Sequence, residues 1–179
     1  QRSSSWLGSS IRLESRVVRF LFEDDAVDDR LQPYATVDTP AVSLDDLVLT
    51  DLFRGQLSEL AQYAEQAGTT AGLVLYFQGA GGVGKRTAAA ACSRKLDRQL
   101  LTVAGRRVAA SSAEEFATLA ALIAREARLH GALVYWEDFD ALLADEDDPR
   151  PAALFSVLAA LPGPAFLSGT ATWEPADAP

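Results

Sequence analysis

Two short stretches carry residues whose types and spacing could do chemistry. The first is GLVLYFQGAGGVGKRT, Gly72 to Thr87. An apolar run, Leu73 to Phe77, stops at a glycine-rich turn, and a helix-forming alanine run follows. Gly79, four residues, Gly84 and Lys85 fit the phosphate-loop pattern G-x-x-x-x-G-K. Glycines at 79, 81, 82 and 84 let the backbone bend so that its N–H groups converge on one centre. The N-terminus of the following helix adds its dipole. Lys85 supplies a mobile point charge for the β- and γ-phosphates of a nucleotide. Gly79, Ala80, Gly81, Gly82, Val83, Gly84, Lys85, Arg86 and Thr87 are therefore the expected nucleotide-binding residues. A plain glycine-rich turn would explain the glycines but not Gly-Lys at this place.

The position after Lys85 departs from the pattern. A Ser or Thr hydroxyl there ordinarily ligates Mg²⁺; this chain has Arg86. Thr87 comes one residue late, about 100° round the helix. Arginine carries only donors and stays charged, so it cannot ligate a metal. Two readings stand: weakened Mg²⁺ binding, with Arg86 itself able to touch phosphate, or a tolerated substitution.

The second stretch is ALVYWEDFDALL, Ala132 to Leu143. Four apolar residues end in Glu137 and Asp138. An acidic pair at a strand end suits a nucleoside triphosphatase, where one carboxylate holds Mg²⁺ through water and the other polarises the attacking water. Glu137 takes the metal-side role by position and Asp138 the water-polarising role. The plainer reading is two solvated acids at a strand end.

The elements that must position these residues follow from the rest of the chain. Ile11 to Phe22 has apolar residues at helical spacing and predicts a short amphipathic helix. Residues 1–10 are Ser-rich, and 31–40, with Pro33 and Pro40, read as linker. SLDDLVL from Ser43 reads as short and extended. A helix is expected from Asp51 to Gln66, with Leu52, Leu57, Leu60 and Tyr63 inward and Gly68 as its stop. Strands are expected at Leu73–Phe77, Leu101–Val103, Ala132–Trp136 and Pro164–Gly169. Helices are expected at Gly84–Leu100, at Ser112–Leu129 behind a Ser112/Glu115 capping box, and at Pro151–Leu161. Strands alternating with helices imply a parallel sheet. Apolar runs without alternation suit strands buried on both faces, and ligands then bind at the carboxyl ends. Residues 1–42 form a lead-in and linker, and 43–179 the nucleotide-binding core.

The 179 residues suffice for one α/β domain plus a small appendage. At 49% hydrophobic residues a real core is affordable, and no apolar run approaches a membrane span. The single cysteine, Cys92, allows no internal disulfide, and a reducing cytoplasm is the default expectation. The net charge of -9 repels nucleic acid. Only two lysines occur, Lys85 and Lys95, so one in the phosphate-loop slot is notable.

With these motifs in place, the chain resembles an AAA+ ATPase of the AAA-type branch, over roughly residues 43–175. That family reads apolar strand, Asp, Glu, then I-D-A-L; here LVYW is followed by Glu137, Asp138, Phe139, Asp140, Ala141 and Leu142. REARLHGA, Arg125 to Ala132, is similar to the run preceding that strand. SLDDLVL resembles the segment that helps form the adenine pocket, which implies Leu47 as a contact. FLSGTATWEP, Phe166 to Pro175, falls where the family keeps a polar sensor, which implies Thr170 or Thr172. A narrower likeness is to bacterial AAA+ proteins encoded beside contractile injection systems, with Arg16–Ala35 similar to the end of a winged-helix region. The resemblance implies a P-loop NTPase sheet, ATP or ADP and Mg²⁺ as cofactors, ring or homo-oligomer partners, and a protein substrate. The lid, the arginine finger and a fifth sheet strand of the family have no counterpart up to residue 179.

The acidic order is inverted, Glu-Asp for Asp-Glu. Glu is longer than Asp by one C–C bond, about 1.5 Å, and misplacement of about 1 Å can cost on the order of 10²-fold in rate. The expectation is therefore an ATP-binding module with weak hydrolysis. The competing readings are a nucleotide-dependent signalling switch of the STAND type, whose GGVGKTT is close to GGVGKRT, and an interaction module with a vestigial P-loop. Other residues are expected to be structural: His130 at a helix C-terminus, Cys92 and Trp136 in the core, Trp173 at core or rim, and the acidic loop 145–148 in solvent. Arg106 and Arg107 fall where hexameric AAA proteins place a pore loop, but the usual aromatic is absent.

Overall fold

The computed structural model describes residues 14–66, 72–145 and 147–173. The Ser-rich start, the beginning of the first expected helix at Ile11, the Gly68 stop, Glu146 and Glu174–Pro175 lie outside the described residues. Helix α1 is Ser15–Leu21, followed by strand β1, Ala35–Asp38. A 3-10 turn, Leu44–Asp46, leads to α2, Asp51–Gln66, and β2, Val74–Gln78. Then come α3 (Lys85–Lys95), β3 (Leu100–Val103), α4 (Gly105–Ala109) and α5 (Ala113–Leu129). The last elements are β4 (Leu133–Trp136), a 3-10 turn Phe139–Leu142, α6 (Arg150–Ala159) and β5 (Ala165–Gly169).

The architecture is mixed α/β. Its five strands form one sheet in the order β1-β3-β4-β5-β2. The pairs β2–β5, β5–β4 and β4–β3 are parallel, as the alternation of strands and helices predicts. Successive strand residues point to opposite faces, and both faces are covered. Leu100, Leu133, Tyr135 and Phe166 pack with Leu57 of α2 and Ala88, Ala89, Ala91 and Cys92 of α3. Leu101, Val103, Val134, Trp136 and Leu167 pack on the other face with α5 and α6. Trp136 and Cys92 are core residues, and Trp173 stacks on Phe155 at 5.1 Å. Burial pushes the Cys92 thiol up to about 11, so it stays a neutral, inert apolar side chain.

Five expectations are corrected. The stretch read as linker contributes β1, which pairs antiparallel with β3 from Ala35↔Val103 to Asp38↔Leu100. Four residues between two prolines are too few for periodicity to distinguish a strand from a linker; the free edge of β3 decides. Gly105–Ala109, read as a loop, is the short helix α4. Helix α3 stops at Lys95 instead of Leu100, because Asp97 turns left-handed at φ 52 and feeds Leu100 into the sheet beside Leu133. On α2, Leu57 and Ala61 face inward, one turn apart, while Leu52 and Tyr63 are exposed. That helix buries one narrow stripe against α3, leaving Leu60 half-buried and Leu52, Phe53 and Tyr63 exposed. SLDDLVL is a 3-10 turn with a capping box between Ser43 and Asp46 rather than fully extended.

Helix α1 is fixed to α5 by buried charge. Arg16 and Glu126 are almost wholly buried, and the Arg16 Nε donates to both Glu126 oxygens, at 3.2 and 3.0 Å. Beyond its place at the α5 terminus, His130 sits against Arg16, with its Nε2 3.3 Å from Arg16 Nη2. Asp28 accepts from the Arg30 side chain and N–H and from Arg125. The Arg30 guanidinium holds the Asp28 carboxyl far below the usual aspartate range, outweighing the opposing effect of burial. Among the described residues no helix is long and apolar enough to cross a membrane.

A carboxyl whose pKa is depressed by folding stabilises the native state above its unfolded pKa, and that stabilisation is lost as pH falls. Urea midpoints should therefore be level from neutral pH to about pH 5 and fall below about pH 4, the ordinary aspartate range. Asp28→Asn should lower the neutral midpoint and flatten the acid limb. An unchanged acid limb in the variant would show that Asp28 is not the group responsible.

Candidate functional site

The glycine-rich loop, residues 79–84, joins the carboxyl end of β2 to the N-terminus of α3. Its start is fixed where the Gly79 N–H donates to the Gly169 carbonyl at the end of β5, at 3.1 Å. Gly82 and Gly84 adopt φ of 81° and 94°. L-residues rarely take that conformation, so these two glycines are required by the turn. Gly84 caps α3, and its carbonyl accepts the Ala88 N–H at 2.8 Å. The Lys85 ammonium folds back over the loop, donating to the Gly79 carbonyl and, at 2.9 Å, to the Ala80 carbonyl. Ala80, Val83 and Thr87 are exposed around this turn. The loop thus presents backbone N–H groups, a helix N-terminus and one ammonium together.

Arg86 does not point at the loop. Its Nη2 lies 3.3 Å from Asp38 Oδ2, at the far end of β1. Since β1 runs antiparallel, Asp38 stands beside Leu100, at the start of β3. The side chain therefore ties the first turn of α3 to the sheet edge.

Glu137 and Asp138 follow β4, as expected. The Glu137 N–H donates to the Val103 carbonyl at 3.0 Å, extending the β3–β4 ladder by one bond. Glu137 is two residues beyond Tyr135, and alternation puts it toward the face covered by α3. Asp138 turns left-handed at φ 48. Its carboxylate accepts from Arg106 Nε at 2.9 Å, on α4. Arg86, Arg106, Arg107, Glu137 and Asp138 share one cleft of about 420 Å³ with Tyr34, Thr36 and Thr102. The Tyr135 hydroxyl, bonded to Ser168 Oγ at 2.9 Å, is close enough to feel this cluster. Burial pushes its pKa up; the Ser168 bond works against that, Glu137 and Asp138 add to it, and Arg86 opposes.

Thr170 is engaged elsewhere. Its N–H and hydroxyl both donate to Asp140 Oδ2, at 2.9 and 2.7 Å. Burial would raise the Asp140 carboxyl, but the bonds from Thr170 and Ala171 outweigh it and hold the carboxyl below its ordinary value. Thr172 accepts from Gln78 Nε2 at 2.8 Å. These two threonines therefore fasten the end of β5 to the Phe139–Leu142 turn and to β2. Leu47 is half-buried against the α3 cluster, and its carbonyl accepts from Arg54 at 3.0 Å.

The loop offers an anion a helix N-terminus and the Lys85 ammonium, which can exchange carbonyls for phosphate oxygens. The donor set does not suit a divalent cation. Arginine stands where a hydroxyl would be needed, and a second arginine pairs with Asp138, which among the described residues leaves Glu137 as the one unpaired acid of the two.

Sequence reading missed Asp38 and the Tyr135–Ser168 pair, and it singled out Arg106 only for a pore-loop position, not for its contact with Asp138. Asp38 became visible only once β1 joined the sheet. Arg106 is placed by Gly105, where an added Cβ would lie 1.9 Å from the Glu137 carbonyl oxygen and 2.4 Å from Trp136 Nε1. Only glycine allows α4 to press against the end of β4, and that contact sets the next residue over Asp138.

In class, this is a mixed α/β protein with a mostly parallel five-stranded sheet and a glycine-rich loop at its carboxyl end. No protein-family description and no curated protein matches the sequence. Among solved structures, one concerned with katanin self-assembly has a similar fold, with a TM-score of 0.52 at 16% identity. It covers 92% of this chain and 55% of that one, so this chain spans about half the length of its structural neighbour. At that identity the likeness is one of fold alone.

Gly105→Ala should lower stability by about 1–3 kcal/mol, the usual cost of overpacking. Gly81→Ala, where an added Cβ meets nothing within 4 Å, should cost far less. Urea denaturation of both variants checks this; equal midpoints would contradict the close packing of α4.

Proposed function

We propose that this chain is a nucleotide-binding module of the AAA+ kind, which binds ATP or ADP and belongs to a larger oligomeric remodelling ATPase. The observation that carries this reading is the loop 79–84 with Lys85 folded over it. A strand, a turn with two left-handed glycines and a helix N-terminus stand together with one ammonium folded over the turn. The AAA-like fold supports it. The phosphates lie along the loop, with Lys85 leaving the Gly79 and Ala80 carbonyls to meet them. Leu47 lies on the side of α3 where the base is held.

Hydrolysis is weak in this reading. A carboxylate that polarises water must be free to accept its proton, and Asp138 accepts from Arg106 instead. Glu137 forms no ion pair among the described residues, and it is the remaining candidate for that role. The fold likeness is to a structure concerned with self-assembly, and nucleotide-dependent assembly into a ring is part of the proposal.

Lys85→Ala should abolish binding of a fluorescent ADP analogue, followed by anisotropy, with a loss of at least tenfold, since a charge-assisted contact is worth about 1.5–3 kcal/mol. Identical titrations for wild type and variant would sink the reading. Sedimentation with and without ATP checks assembly in the same samples.

A further inference from the structure

We infer that the site takes its nucleotide as the free polyphosphate, without a divalent cation, and that Arg106 supplies the missing positive charge. The inference rests on the proposed nucleotide site and concerns what neutralises the phosphates there.

The cleft beside the loop holds Glu137 and Asp138, and two negative groups next to a polyphosphate must be offset by cations. In most phosphate-transferring sites Mg²⁺ does this, held by one or two carboxylates and the phosphates themselves. Here two features work against that solution. Arg86 replaces the hydroxyl at the first turn of α3, and its head is drawn to Asp38. Asp138 already accepts from Arg106 at 2.9 Å, so a guanidinium neutralises one of the two acids and leaves Glu137 alone to face a metal.

The Arg106 position is built into the fold. The missing Cβ of Gly105 lets α4 start in direct contact with the Glu137 carbonyl and the Trp136 indole. A left-handed Asp138 aims its carboxylate back at the same helix. Arg107 is fastened separately, its Nη1 donating to the Pro33 carbonyl at 2.8 Å, so it does not compete for Asp138. Arg106 lines the cleft and remains largely exposed, with a side chain 74% accessible. A guanidinium has five donors and one Nε contact uses one of them. Its remaining N–H groups can meet phosphate oxygens while Nε stays on Asp138, or the whole fork can exchange carboxylate for phosphate.

The test is anisotropy of a fluorescent ATP analogue with the full 179-residue chain, in excess EDTA and in millimolar Mg²⁺. Wild type should bind equally within about threefold in the two buffers. Arg106→Ala should weaken binding in EDTA by roughly tenfold or more and restore part of it when Mg²⁺ is added. Asp138→Asn should tighten binding in EDTA, because it removes a competing negative charge; Asn tolerates the left-handed backbone there. Wild-type binding that needs Mg²⁺, or an Arg106→Ala variant indistinguishable from wild type, would overturn the inference while leaving the nucleotide site standing. No binding by wild type in either buffer would overturn the nucleotide reading and this inference with it. Matching circular dichroism of the two exposed-site variants and wild type shows that a loss is not unfolding.

Discussion

Parallel strands bonded in register bring all their carboxyl ends to one side of a sheet, and everything functional in this chain depends on that. The pairing Gln78↔Gly169 levels the end of β2 with the end of β5, and Trp136↔Leu167 sets β4 two residues short of it. The glycine loop, the Thr170–Asp140 bracket and the Glu137–Asp138 pair are thereby gathered from residues up to 91 positions apart. The register is held by apolar side chains on both faces, since each strand gives alternate residues to the α2/α3 layer and to the α5/α6 layer. A one-residue slip would exchange those two sets.

Within that frame, arginines govern the electrostatics. Arg86 is committed to Asp38, Arg106 to Asp138, and Arg16 to the fully buried Glu126. The three pairs differ in what they do. The Arg16–Glu126 pair lies in the dry contact between α1 and α5, where loss of either partner would strand a charge. The other two are half-exposed, worth little as stabilisers, and free to exchange partners. Asp138 is thus met by a guanidinium, which matches phosphate geometry as well as carboxylate geometry.

The glycines divide by reason. Gly82 and Gly84 are required by backbone conformation, and Gly105 and Gly169 by close approach. At Gly169 an added Cβ would meet the Tyr76 hydroxyl at 2.2 Å, and that hydroxyl is held on the Ala171 carbonyl. The first kind can be read from a motif, because a turn is local. The second kind depends on what another element brings alongside.

The sequence by itself determined the α/β class, most of the parallel strands and the candidate loop, because those rest on local pattern: apolar runs, a capping residue at Ser112, glycines with a lysine at fixed spacing. It also showed that the hydroxyl after Lys85 is replaced and that the acids come as Glu-Asp. Tertiary structure alone decided where Arg86 and Arg106 point, since a long cationic side chain goes to whichever carboxylate folding brings within reach. It also made a strand of Ala35–Asp38, because four residues pair only where an edge is open, and so delivered Asp38 to Arg86. The loop was legible because its shape is set by its own residues. The charge balance around it was not, because that is set by neighbours 32 and 48 positions away.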